Sequence, residues 1–149
     1  MARPKTLQGS KFLIMLGDGA SPENFVAPCA LTTKGIDLSA SANEFNVPDC
    51  DDPDAPTFTE RVISALSAGV KGSGTLAMDS LETWRTWLLS GQPKNIQAVL
   101  DDTPANGGGY FQMSAVLTAL NIGGNIGELA TIETQIDSNG EIVWHDAGT

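Results

Sequence analysis

Aspartates crowd one short stretch of this 149-residue chain. Asp49, Asp51, Asp52 and Asp54 lie close together, and carboxylate oxygens are the ligands that Ca²⁺ prefers in proteins. The spacing misses the EF-hand loop, because no Gly stands at its sixth position. Pro53 and Pro56, the two prolines within residues 49–56, disfavour both helix and central strand. The sequence therefore predicts a solvated acidic loop over residues 48–61, with a calcium-dependent ligand-binding β-sandwich module as an alternative.

Other residues that could do chemistry are few and scattered. The single histidine, His145, stands beside Asp146 near the end of the sequence, which is a poor place to hold a catalytic base rigidly. Cys29 and Cys50 offer no paired spacing for zinc, and we interpret both as free thiols. The glycine-rich stretch 107–109 matches no phosphate-binding motif. We expect no enzymatic activity, no catalytic residues, no cofactor and no bound metal.

The charge of the chain is strongly negative and unevenly distributed. A net charge of −10 excludes sequence-reading nucleic-acid binding, because affinity for phosphates depends on Lys and Arg. Arg3, Lys5 and Lys11 are three of the eight positive charges, whereas no Lys or Arg follows Lys94. A basic N-terminal arm over residues 1–10 suits head-to-tail assembly, and ordinary surface charge explains it equally well.

The elements that must position these residues are mostly short strands. A buried strand at 12–16 is closed by a Gly-Asp-Gly turn at 17–19, and Gly35 marks a possible bulge in a later strand. The dipeptide Asn139-Gly140 predicts a hairpin between the last two strands. The predicted strands are 12–16, 31–40, 44–47, 70–78, 95–100, 110–120, 127–137 and 141–144.

One helix is predicted at about 80–90. Asp79 provides a candidate N-cap and Gly91 a stop signal. Leu81, Trp84 and Leu88 recur at helical spacing, so an apolar stripe faces the sheet. The whole chain, residues 1–149, reads as a single domain of mainly β structure.

The segment 11–25, which reads KFLIMLGDGASPENF, resembles the opening of major tail tube proteins. These proteins belong to phages with long non-contractile tails and to phage-like gene transfer agents. The order of strands, mid-chain loop, single helix and terminal meander is similar to that family over nearly the whole chain. The resemblance implies a tail-tube-protein-like fold, a two-sheet β-sandwich or barrel with one flanking α-helix.

The resemblance also implies a function and a set of partners. Six copies close into a ring, and the rings stack into a tube through which DNA passes without specific binding. Tape measure, tail terminator and distal tail proteins are further partners of such a tube, and no membrane is involved. We expect synthesis in the bacterial cytoplasm and assembly in the tail of a phage-like particle. A tube protein of a contractile secretion system remains an alternative.

Candidate surfaces for these roles follow from charge. The strand at 130–137 has one wholly polar face, and Glu133 and Asp137 are candidates to face the lumen. The basic arm and the acidic loop are candidates for contacts between rings, because charged flexible segments become ordered on complementary surfaces. The residues concerned are Arg3, Lys5, Lys11, Asp49, Asp51, Asp52 and Asp54.

Overall fold

The computed structural model describes residues 3–19, 21–28 and 31–147. Helix α1 (Met78–Ser90) is flanked by strands on both sides, with short 3-10 turns at Gly9–Lys11 and Pro104–Asn106. The expected mainly β fold with one flanking helix is confirmed. The strands are β1 (Phe12–Gly17), β2 (Phe25–Val26), β3 (Leu31–Val47), β4 (Phe58–Thr75), β5 (Lys94–Leu100), β6 (Gly109–Gly123) and β7 (Thr131–Asp146).

The described strands form one antiparallel seven-stranded sheet in the order β2-β1-β5-β6-β7-β4-β3. Two separate hydrogen-bonded sheets, as the sandwich expectation implied, are not present among them. Strand β6 pairs with β5 through residues 109–115, and β7 pairs with β4 through residues 131–137, so the β6–β7 pair joins the two halves of the sheet. Strand β1 nevertheless contacts β3. The sheet therefore curls over a shared core, in the manner of a barrel.

Apolar side chains from both halves of the sheet meet in one core. Ile14 of β1, Val70 of β4, Ile96 of β5 and Ile136 of β7 are all almost fully buried. Helix α1 adds Trp84, whose ring stacks on that of Trp87 with the centroids 6.1 Å apart. The helix thus covers the core with the apolar stripe that its sequence predicts, while Glu82 remains exposed.

The boundaries of β3 and β4 differ from prediction. Strand β3 continues through residues 41–43, where the sequence indicates a break, because its partner β4 already begins at Phe58. Residues 58–61, expected in the acidic loop, therefore belong to a strand. Gly35 pairs directly with Lys71 without a bulge, and the irregularities lie at Leu31/Thr33 and Ser41/Ala42 instead.

The predicted hairpin at Asn139-Gly140 is wrong, because β7 continues through it as one strand. Met113 of β6 pairs with Ile142, and Ala115 pairs with Ser138, so β7 bulges between these two positions. The Ser138 hydroxyl oxygen accepts a hydrogen bond from the Ala68 backbone N–H at 2.9 Å. Asn139-Gly140, which favours a turn, lies in a β-bulge of β7 and does not reverse the chain.

The predicted cap of helix α1 is wrong at its N-terminal end, and the predicted stop is confirmed at its C-terminal end. Ala77 is the N-cap and makes no side-chain hydrogen bond, so the prediction that Asp79 caps the helix is wrong. Asp79 lies inside the first turn, where its negative charge interacts favourably with the positive end of the helix dipole. Gly91 ends the helix as predicted, with a φ of 67° that glycine adopts without strain.

Candidate functional site

A polar face lies on β3, β4 and β7, on the side of the sheet opposite the core. Glu133 and Asp137 alternate along β7 with buried Thr134 and Ile136. Gln135 lies between the two acids on the same face and donates a hydrogen bond from Nε2 to Asp137 Oδ1 at 3.1 Å. The two acids that the sequence predicts on one face of this strand do therefore lie together.

The neighbouring strands extend this surface. Asp137 pairs with Gly69, which pairs in turn with Asp37 of β3. The Lys71 ammonium lies 3.9 Å from the Asp37 carboxylate, and both side chains are mostly exposed. The polar face, defined as Asp37, Lys71, Glu133, Gln135 and Asp137, thus has an excess of negative charge.

The second notable surface is a long hairpin. Strand β4 leaves β7 at Gly69 but stays paired with β3 as far as the Val47–Phe58 pair. Residues 38–68, which we call the hairpin arm, therefore have no third strand beside them. Almost every residue of the arm is exposed. An isolated two-stranded hairpin is only marginally stable in water, so the arm is a candidate surface for contact with another subunit.

The apolar residues of the arm change face midway. Near its base, Leu38, Leu66 and Ile63 share the face that continues from the core, and we call them the basal patch. On the same face farther out, Arg61 Nε donates to Glu44 Oε1 at 3.1 Å. The opposite face carries a Ser39–Ser67 hydroxyl pair at 2.8 Å near the base.

Toward the tip, that opposite face becomes apolar. The register places Phe45 and Val47 of β3 on the same face as Phe58 and Val62 of β4, and we call these four residues the distal patch. Phe58 is 89% exposed and the other three are more than half exposed. The change of face coincides with the irregularity at Ser41/Ala42, which shifts the alternation along β4 by one residue.

A groove of ≈ 740 Å³ lies beside the basal patch. Its far wall is formed by Phe111, Ile142 and Trp144 of β6 and β7. The rings of Phe111 and Trp144 meet edge to face, 4.7 Å between centroids. The groove is an apolar opening where the hairpin arm diverges from the rest of the sheet.

The four predicted loop aspartates lie in the connection between β3 and β4, at the tip of the arm. All four side chains are exposed, and Asp49 accepts a hydrogen bond from the Asp51 backbone N–H at 2.9 Å. No group of three or more potential metal ligands occurs in the described residues. This geometry offers Ca²⁺ no cluster of converging oxygens.

The basic arm begins the described chain, and its residues Arg3 and Lys5 are exposed. The Lys11 ammonium lies 3.8 Å from the Asp101 carboxylate, which follows β5. Hydrogen bonds from Asn106 and Thr103 hold the pKa of Asp102 below its usual value, with smaller contributions from Lys5 and Lys11. Met1 and Ala2 lie outside the described residues.

The basic arm and the acidic loop lie at the same end of the sheet. Phe12, which follows Lys11, pairs with Leu100, and Leu100 pairs with Gly109 at the start of β6. Gly109 pairs with Asp146 at the end of β7, and the hairpin arm projects toward this same end. The two charged segments therefore lie at one end of the subunit and not at opposite ends.

The Gly-Asp-Gly turn after β1 is held by the acid of the same motif. Glu23 accepts hydrogen bonds from the Asn95 amide at 2.9 Å and the Gly19 N–H at 3.3 Å. A Cβ at position 17 would collide with the Glu23 carboxylate, so a larger residue there would displace Glu23 from these hydrogen bonds. The motif tying β1 to β5 thus has a structural role.

The remaining candidate residues are His145 and the two cysteines. His145 stacks on Tyr110 with the ring centroids 4.9 Å apart and is exposed at the edge of the sheet. Cys50 is an exposed free thiol, and Cys29 lies outside the described residues.

Among the described helices, none combines the length and apolarity that crossing a bilayer requires.

Sequence reasoning missed the distal patch. Its signal was present, because Phe45, Val47, Phe58 and Val62 flank the acidic turn at alternating positions. The sequence prediction places residues 58–61 in the loop, whereas the mirrored pattern on the two sides of the turn belongs to a hairpin.

Solved structures share this fold. The tail of an empty gene transfer agent particle with C6 symmetry matches with a TM-score of 0.76 and 20% identity, covering 94% of this chain and 99% of the other. A native gene transfer agent virion matches with a TM-score of 0.70 and 19% identity over the same shares. The SPP1 tail tube matches with a TM-score of 0.65 and 9% identity, covering 95% and 80%.

No curated protein sequence matches the chain. A family model described as phage tail tube protein matches residues 6–144, which include every strand of the sheet except the last two residues of β7. The chain belongs to the phage tail tube protein family, and its role is therefore structural and not enzymatic.

Proposed function

We propose that six copies of this tail tube subunit close into a ring and that the rings stack into a hollow conduit for DNA. The family match over residues 6–144 is the observation that carries this proposal. The C6 symmetry of the similar gene transfer agent tail supports the number six. Strand β3 is an edge strand of 17 residues, and closure with a neighbouring subunit protects an edge that otherwise invites aggregation.

In this tube the polar face lines the lumen. Glu133, Asp137 and Asp37 outnumber the single Lys71, and six subunits multiply the excess negative charge. A negatively charged wall repels the phosphates of DNA and keeps the passing strand from binding. The opposite side of these strands packs on the core, so the polar face is the surface available for this role.

The charged segments at the arm end take part in contacts between rings. Arg3 and Lys5 of the basic arm, the adjacent Lys11 and the loop residues Asp49, Asp51, Asp52 and Asp54 are exposed at that end. Since they share one end, each segment meets a different surface of the next ring. The tube in turn joins tape measure, tail terminator and distal tail proteins in the tail of a phage or gene transfer agent.

Negative-stain electron microscopy of the purified chain across a concentration series tests the assembly. We expect six-fold rings or hollow tubes at high concentration. A uniform monomer at every concentration would contradict the proposal. A rise in thermal stability on adding Ca²⁺ to that monomer would then favour the calcium-dependent binding module.

A charge reversal tests the lumen assignment. We expect Glu133→Lys with Asp137→Lys to leave tube assembly intact and to slow DNA release from particles severalfold, because the wall then attracts phosphate. Glu82→Lys on the exposed side of α1 is the matched control and should release DNA at the normal rate. Normal release from the double variant would remove these two residues from the lumen.

The basic arm is tested separately. Reversing Arg3 and Lys5 to Glu should slow tube growth and leave the stability of the monomer unchanged, because both side chains are exposed. Light scattering follows the growth, and urea denaturation reports the stability. Growth at the unmodified rate would show that the arm makes no contact between rings.

A further inference from the structure

Outside the hairpin arm, exposed large apolar side chains form another group at the end of β6 and in the connection between β6 and β7. Ile122, Ile126 and Leu129 are 51%, 106% and 76% exposed. We call these three residues the loop patch. A subunit that stayed alone in water would gain nothing from exposing two such groups.

The distal patch and the loop patch lie at opposite ends of the same strands. Thr131, the first residue of β7, pairs with Gly123 of β6 and with Thr75 at the end of β4. The arm leaves the sheet at the other end of that pairing, where Gly69 meets Asp137. The loop patch therefore lies at one end of the paired strands β6, β7 and β4, and the arm leaves the sheet at the other end.

The distal patch lies far along β4 from Gly69, where the pairing of β4 with β7 ends. Strands rise about 3.3 Å per residue, so Val62 lies roughly 23 Å and Phe58 roughly 36 Å beyond Gly69 along β4. Beyond Gly69 strand β4 pairs with β3 alone, and Phe58 of the distal patch is 89% exposed. Its partner must come from another molecule.

We propose that the distal patch of one subunit docks on the loop patch of a subunit in the next ring. This inference rests on the proposed stacking of rings. Contact between two different surfaces at opposite ends of one subunit is heterologous, and repeating it without closure gives a linear stack. Both surfaces are apolar, whereas the two charged segments share one end of the subunit.

Single substitutions test the contact from both sides. Phe58→Asp and Ile126→Asp should each raise the critical concentration for tube growth by at least about tenfold, the loss typical of an anchoring apolar residue. Single rings should still form. Leu89→Asp is the matched control, since Leu89 is 78% exposed on α1 and belongs to neither patch. Normal stacking by either patch variant would overturn the proposal.

Cross-linking identifies the partner directly. In chains with Cys29 and Cys50 replaced by serine, Phe58→Cys combined with Ile126→Cys should give a ladder of disulfide-linked multimers when tubes are oxidised. The two single-cysteine variants should give none. A dimer from Phe58→Cys alone would show that arm tips meet each other, and this result would overturn the proposal.

The same experiment separates the two proposals. Tubes that form normally but contain no cross-link would overturn the docking of the distal patch and leave the tube function intact. Absence of both rings and tubes from the unmodified chain would overturn the tube function, and the inference with it.

Discussion

The two halves of the β3–β4 hairpin are built from the same strands and have opposite surroundings. In the half next to the body, β7 is paired with β4 and Val70 is 1% exposed. In the hairpin arm no third strand is present, and Val62 of the same strand is 57% exposed. Burial within the subunit explains the apolar residues of the first half and leaves those of the second half unexplained.

From this difference we infer that the folding of the subunit and the assembly of the tube use separate parts of one hairpin. Apolar residues in the body half stabilise the monomer, because they leave water when the chain folds. Apolar residues in the arm are exposed in the single subunit, and in our proposal a second copy covers them. Substitutions in the two halves should therefore affect different measurements.

The largest expected contrast comes from one substitution made in each half of β4. Val70→Ala should lower the free energy of unfolding by about 1.5–3 kcal/mol, because a fully buried valine loses its apolar contacts. Val62→Ala should change it by no more than about 0.5 kcal/mol. Urea denaturation of the monomer measures both, and equal losses would show that the arm is packed within the subunit.

A smaller contrast concerns hydroxyl groups. Thr134 is buried and donates to the Gly72 carbonyl at 3.3 Å, so Thr134→Val should cost about 0.5–1.5 kcal/mol. Ser39 bonds Ser67 in the exposed arm, where water replaces the lost partner, and Ser39→Ala should have almost no effect. Thermal unfolding monitored by circular dichroism compares them. A larger loss of stability from Ser39→Ala than from Thr134→Val would contradict the proposed difference between the arm and the body half of the hairpin.

The smallest effect is expected at the ion pair across the arm. Arg61 and Glu44 are both more than half exposed, so Glu44→Gln should cost at most about 1 kcal/mol of monomer stability. Salt screens exposed charges, and the difference should disappear as ionic strength rises. A loss that persists at high salt would indicate that the arm is less solvated than its exposure implies.

Much of the fold could be predicted from the sequence. Alternation identified the strand at 110–120 and the polar face of β7, because one side of each is buried on the core. Trp84 and Gly91 located the helix and its end. These features are governed by local periodicity and backbone conformation, which a single sequence records directly.

The missed features depend on partners distant in sequence. Asn139-Gly140 favours a hairpin locally, yet β7 continues because β6 offers a longer partner on the far side of the bulge. Strand β4 extends into the region assigned to the loop because β3 pairs with it there. The distal patch has no burial signal within the subunit at all, so core prediction could not reveal it.

The central claim is that the hairpin arm is an assembly surface that the monomer leaves uncovered. Amide hydrogen exchange, compared between monomer and tube, tests it most directly. We expect Val70 and Ile136 to be protected in both states, and Phe45, Phe58 and Val62 to exchange readily in the monomer and to become protected in the tube. Protection of the distal patch already in the monomer, or ready exchange that persists in the tube, would contradict the claim.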